Sequence, residues 1–213
     1  MNLPKVMLPP ALSLLFLIVI IYGMGSCMAA IPQAYRVNGP WVIETTPERE
    51  IVVEETGSDS PTTISLFSWG ALFSQADREI GALRYERVNY TLRDSHNLPI
   101  WTITSHDTYV LVADPQGKEL FRIVSRTNDV EFIDPQGKLI SSIVISGDGA
   151  SLFSADGTFL AATVTTPLGM ELCTPRGTVM RVSNSSVSPA GLVAAALPSF
   201  DRLERAALII MVK

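Results

Sequence analysis

Only two cysteines occur among the 213 residues, Cys27 and Cys173, and only two histidines, His96 and His106. Cys27 sits in or beside an apolar N-terminal run, so geometry disfavours its pairing with Cys173 and no disulfide framework is expected. Two Cys and two His at these spacings do not assemble a closed zinc site. No structural metal and no cofactor are expected. Basic blocks are also missing: net charge is −5, and a chain without a Lys/Arg patch lacks the footprint of a nucleic-acid binder. Such a domain must hold itself together by apolar burial and backbone pairing.

Charge itself is missing from one stretch. Lys5 is the only charged side chain before Arg36, and residues 11–22 are almost wholly aliphatic or aromatic. About 20 apolar residues span a bilayer's hydrocarbon, and residues 11–30 supply that length. Pro9 and Pro10 fall at the start, where a helix tolerates proline. Lys5 and the α-amino group place the N-terminus in the cytoplasm. The expectation is therefore a single-pass transmembrane anchor in residues 1–30, contacting the bilayer through residues 6–30, with the rest extracellular or periplasmic. Two alternatives stay open. One is a cleaved signal peptide. The other is a bacterial lipoprotein signal, in which Met24-Gly25-Ser26 precedes a lipid-bearing Cys27. Asn89-Tyr90-Thr91 and Asn184-Ser185-Ser186 are glycosylation sequons, usable only in a eukaryotic secretory setting.

What the chain has in abundance is repetition. Asp114-Pro115-Gln116-Gly117-Lys118 recurs twenty residues on as Asp134-Pro135-Gln136-Gly137-Lys138, then as Ser154-Ala155-Asp156-Gly157-Thr158 and Thr174-Pro175-Arg176-Gly177-Thr178. Going back gives Asp94-Ser95-His96-Asn97 and Ser74-Gln75-Ala76-Asp77. Three apolar columns share the frame. Leu72, Leu92, Val112, Phe132, Leu152 and Leu172 precede the turn; Ile80, Ile100, Leu120, Ile140, Leu160 and Met180 follow it. The third column runs Leu83, Ile103, Ile123, Ile143 and weakens to Thr163 and Ser183.

The turn chemistry explains these choices. Asp, Ser or Thr in the first position accepts a backbone N–H two residues on. Proline next presets φ for a type I turn, and Gly, Asn or Asp in the fourth position tolerates φ > 0. The flanks are rich in β-formers, so each unit reads strand, tight turn, strand, variable second turn. The fold class expected is mostly β, in one of two architectures. A constant period favours a β-solenoid with coils stacked in register; the hairpin signal favours an antiparallel meander or barrel. Residues 31–70 read as a linker with leading strands (41–44, 51–55, 63–68) around a polar loop, and residues 71–190 as the repeat. Residues 191–213 form an apolar cap, in which Asp201 and Glu204 resemble a helix capping box. Its alternative is a last strand.

Candidate sites are few. Ser105-His106-Asp107 has the residue types of a catalytic triad, but neighbours on a strand point to opposite faces and triads are assembled from separated segments. Glu54-Glu55 and the pair Asp148 and Asp156 fall at turn and solvent-facing positions. Asp94, Asp114 and Asp134 recur at one place, but each turn offers one carboxylate where calcium takes several oxygens. Gly147-Asp148-Gly149 lacks the Lys-Ser/Thr pair and following helix of a phosphate loop. Trp69, Trp101 and Phe121 read as core. No catalytic residue is expected.

Two families are similar in format. Leu152-Phe153-Ser154-Ala155-Asp156-Gly157 and Thr166-Pro167-Leu168 resemble phrases in sarcoglycans, which have a short cytoplasmic N-terminus, one membrane helix and an extracellular β-repeat domain. That resemblance implies a structural partner in a membrane complex. The strand, D-x-x-G, strand rhythm of residues 109–145 resembles the tubby C-terminal-like group, which includes scramblase and LURP-one-related proteins. That one implies a barrel around a C-terminal apolar helix, with lipid-linked binding. The function expected is a membrane-anchored, non-catalytic structural or interaction protein, a homo-oligomer or the partner of another membrane protein. The alternative is a β-domain binding lipid or a small ligand.

Overall fold

The computed structural model describes residues 33–36, 41–44, 46–86, 89–183 and 187–212. The expected anchor, Cys27 and Asn184 lie outside these residues. Among the described residues, no helix is long and apolar enough to cross a membrane. The chain divides into two compact units, Met1–Thr45 and Thr46–Lys213. In the first, β1 (Gln33–Arg36) and β2 (Trp41–Glu44) pair as an antiparallel hairpin.

The second unit opens with β3 (Arg49–Glu55), β4 (Thr62–Phe67), β5 (Gly70–Gln75) and β6 (Arg78–Glu86). It continues through β7 (Asn89–Asp94), β8 (Pro99–Ser105), β9 (Val110–Ala113), β10 (Glu119–Ser125) and β11 (Asp129–Ile133). Last come β12 (Leu139–Ser146), β13 (Gly149–Ser154), β14 (Phe159–Thr166), β15 (Gly169–Thr174) and β16 (Gly177–Val182). Each pairs antiparallel with the next, and β16 pairs back onto β3 through Val182↔Val53. The fourteen strands β3–β16 form one closed barrel. Coils stacked as a solenoid are not what forms. The two strands of each unit pair with each other, so the constant period measures the height of the wall.

The repeated turn behaves as its chemistry requires. Asp114 Oδ1 accepts the N–H groups of Gln116 and Lys118, at 3.0 and 2.8 Å. Gly117 takes φ +83°, and Asn97 takes the same left-handed role at +64°. Immediately after each turn the ladder slips by one residue. The residue left unpaired is Ile80, Ile100, Leu120, Ile140, Leu160 or, in the last unit, Val179. These are β-bulges, which leave one residue without a partner. Apart from Met180, which is buried, the apolar column after the turn therefore does not line the interior; Ile140, for example, is 41% exposed. The inward positions fall one residue later, at Gly81, Trp101, Phe121, Ser141 and Ala161, all buried. The other two columns do face inward, with an exception at each end: Phe73 replaces Leu72 in the first unit, and in the last unit Ser183 is exposed while Val182 is buried.

Eight strands suffice for a barrel filled by its own side chains. Fourteen enclose more space, and the chain fills it with a helical hairpin, α1 (Pro189–Ala194) and α2 (Arg202–Met211). Asp201 and Glu204 form the reciprocal capping box that starts α2, so the C-terminal segment is a helix and not a strand. Arg202 reaches Glu55 at 3.1 Å, which fixes the start of α2 at the Asp-Pro turn end. Phe200 packs edge-on against Trp101, ring centroids 5.5 Å apart, and tilted against Phe121 at 5.4 Å. At the other end, Ser188 Oγ donates to Val212 O at 2.6 Å and accepts from Gly191 N at 2.8 Å.

The two helices touch backbone to backbone. A Cβ on Gly191 would lie 2.3 Å from Ile209 O and 2.8 Å from Val212 O. We therefore expect Gly191→Ala to lower unfolding stability by about 1–3 kcal/mol, measured by denaturant titration. Ser141 is buried in the wall with its Oγ unpartnered. Ser141→Ala should be neutral or slightly stabilising in the same assay, because no hydrogen bond is lost and a desolvated hydroxyl is removed.

Candidate functional site

The helical hairpin does not fill the barrel evenly. α1 packs toward β12–β15 and α2 against β6. At the end opposite the Asp-Pro turns, a cavity of about 880 Å³ remains between the last turn of α2 and strands β3–β10. Its lining is mainly apolar: Ile51, Leu66, Leu83, Ile103 and Val110 from the wall, and Ile209 to Val212 from the helix end. The polar groups that line it are Glu48, Arg49, Ser68, Tyr90, Ser105, Ser125 and Ser188.

Strand alternation explains the layering. On β3, Ile51 and Val53 are buried inside, so Arg49 belongs to the same inner face, one step nearer the mouth. On β8 the inner face runs Trp101, Ile103, Ser105, and on β10 Phe121, Ile123, Ser125, with the serines exposed. Tyr85 and Tyr90 are cross-strand partners, and their rings stand 5.1 Å apart at the same level. The site thus grades from an apolar floor to a polar rim.

Of the sequence candidates, Ser105 lines this cavity, but not as part of a triad. The His106 ring stacks on Tyr109, centroids 4.4 Å apart, and its backbone N–H donates to Tyr109 O at 2.9 Å. Asp107 is exposed in the same turn. Asp148 and Asp156 lie at opposite ends of the barrel, so they form no pair. Asp94, Asp114 and Asp134 each spend one carboxylate oxygen on two N–H groups of their own turn. Glu55 is held by Arg202. Trp101 and Phe121 are core, whereas Trp69 is half-buried and stacks on Phe67 at 4.9 Å beside the cavity. Asn89 begins β7, and its Oδ1 accepts from Thr104 Oγ1 at 3.0 Å.

The outer wall has a different character. It carries the ion pairs Arg93–Glu86, Arg122–Glu119 and Arg181–Glu171, at 2.9, 2.8 and 2.7 Å. Between them stand exposed Leu120, Ile140, Val144, Phe159 and Val164 on β10–β14. A charged outside around an apolar inside reverses the pattern of a barrel that spans a membrane with its strands. No motif marks Arg49, and Tyr90 appears in the sequence only as the middle residue of a sequon; only barrel closure brings them to one rim.

No family model matches the chain, and comparison with curated proteins finds no match. The chemistry of the site must therefore be argued from its geometry.

One turn departs from the Asp-Pro pattern with a titration consequence. Asp156 accepts from the Ser154 hydroxyl and from Thr158 N–H, and these bonds lower its pKa from the ordinary 3.8 to about 2. The turn's contribution to stability is thus complete above the ordinary value and lost as pH falls through about 2. A carboxyl-detected NMR titration should place the Asp156 midpoint near 2, and Ser154→Ala should move it back upward.

Proposed function

We propose that this chain is a membrane-tethered, non-catalytic binding protein whose barrel holds one small apolar or amphipathic ligand in the cavity at its open end. One observation carries the reading: a space of about 880 Å³ lined mainly by apolar groups. Small-molecule sites are concave and mostly apolar, with a few placed polar groups, and occupy roughly 300–1,000 Å³. A structural rod would instead have spent its interior on packing. The non-catalytic part rests on the sequence candidates: Ser105 lines the cavity without His106, whose ring stacks on Tyr109, and Glu55 is ion-paired with Arg202. Tethering through residues 6–30, with the barrel outside the cytoplasm, rests on the uncharged apolar run between Lys5 and Arg36.

A second reading, a subunit of a membrane-associated assembly, is favoured by the outer wall. The exposed aliphatic and aromatic side chains Leu120, Ile140, Val144, Phe159 and Val164 all stand on the alternate strands β10, β12 and β14 of one stretch of the wall. Clustered apolar groups rimmed by charge mark interaction surfaces. The two readings are compatible, since one uses the interior and the other the outside.

Native mass spectrometry of the full chain, extracted gently from its membrane, tests both. The expected result is a chain retaining Met1 with one noncovalent adduct of a few hundred daltons, released on denaturation. A chain with no adduct, both as extracted and after incubation with a lipid extract, sinks the ligand reading. A stable homo-oligomer or hetero-complex supports the second. A chain starting at Cys27 with acyl mass would make the tether a lipid.

A further inference from the structure

We infer that the cavity takes a single-chain amphiphile with an anionic head, its hydrocarbon against the end of α2 and its head at Arg49. The inference rests on the cavity reading above and adds the ligand's chemical class. Arg49 shares the inner face of β3 with buried Ile51 and Val53, so its guanidinium stands at the mouth above apolar floor. Five arginines of this barrel are ion-paired: Arg93 with Glu86, Arg122 with Glu119, Arg126 with Glu131, Arg181 with Glu171, Arg202 with Glu55. Among the described arginines outside these pairs, Arg49 is the one that lines the cavity. Arg49 lines the cavity without an ion pair or side-chain hydrogen bond to any described residue. An arginine left open beside an apolar space is complementary to a carboxylate or phosphate, which it binds through paired N–H groups. The hydroxyls of Tyr90, Ser105 and Ser125 line the same cavity and add neutral donors.

Counting a methylene at about the ~30 Å³ of a liquid water, a sixteen-carbon chain occupies roughly 500 Å³, and the cavity of about 880 Å³ has room for one such chain with its head. Glu48 also lines the mouth. It precedes the first residue of β3, out of the inner-face alternation that places Arg49, and its charge opposes an anion. The two neighbours therefore make opposite predictions: Arg49 attracts the head that Glu48 repels.

The experiment uses the full chain reconstituted in phosphatidylcholine vesicles at about pH 9, where a carboxyl head is charged. The probes are a diazirine-bearing palmitate and the matching diazirine hexadecanol, with crosslinks mapped by peptide mass spectrometry. Palmitate should label peptides containing Ser105 or Ile209 to Val212. Arg49→Gln should cut that labelling about tenfold at sub-saturating probe, and Glu48→Gln should raise it about two- to threefold. Labelling by the alcohol should respond to neither change. Both positions lie at the mouth, and circular dichroism verifies that the variants fold. Ser105→Trp should block both probes by filling the path. If both probes label the cavity and Arg49→Gln affects them equally, the anionic head is wrong and the cavity reading stands. If neither probe labels the cavity peptides, the cavity reading itself fails.

Discussion

The pairing of β16 with β3, from Met180↔Glu55 to Val182↔Val53, is the seam on which the rest of the unit depends. Without it the antiparallel series β3–β16 would end in two open edges, each a row of unpaired backbone groups. With it the sheet closes on itself, and closure at this strand number makes an interior wider than side chains alone can fill. The helical hairpin follows from that width. So does its construction, with Gly191 letting the two helices touch and Ala206 and Ala207 buried within the barrel.

Uneven filling turns a packing problem into a site. α1 lies toward β12–β15, and α2 ends short of the mouth on the other side. The space left is apolar below and polar at its rim, because each strand that runs past it ends in residues facing water. Ser105, Ser125 and Arg49 are the solvent-side ends of inner faces whose deeper members are Ile103, Ile123 and Ile51. An amphipathic gradient of this kind needs no special motif. It arises wherever an apolar inner face meets the end of its strand.

Much of the fold was legible in the chain. The turn residues of Asp114–Lys118 and its copies state their φ angles and hydrogen bonds almost residue by residue, and the capping box at Asp201 and Glu204 states the start of α2. The bulges were not legible. Ile80, Ile100, Leu120, Ile140 and Leu160 form as regular an apolar column as any core position, yet they fall between paired residues and stand off the inner face. Periodicity reports that a position is equivalent in every unit. It does not report which way the side chain points once the ladder has slipped. The shift of Phe73 for Leu72 has the same origin, since the first turn is one residue shorter.

The sequence by itself determined local conformation: the strands, the tight turns and the equal length of the hairpins, while the C-terminal segment was open between helix and strand until the structure decided for the helix. These depend on backbone preferences and on hydrogen bonds between residues a few positions apart. Only the tertiary structure decided whether the hairpins stacked as coils or closed as a wall, and which apolar column faced inward. It alone brought Arg49, Tyr90, Ser105 and Ser125 to one rim. Those outcomes depend on pairing between β3 and β16, more than a hundred residues apart in the chain, and no local preference encodes that contact.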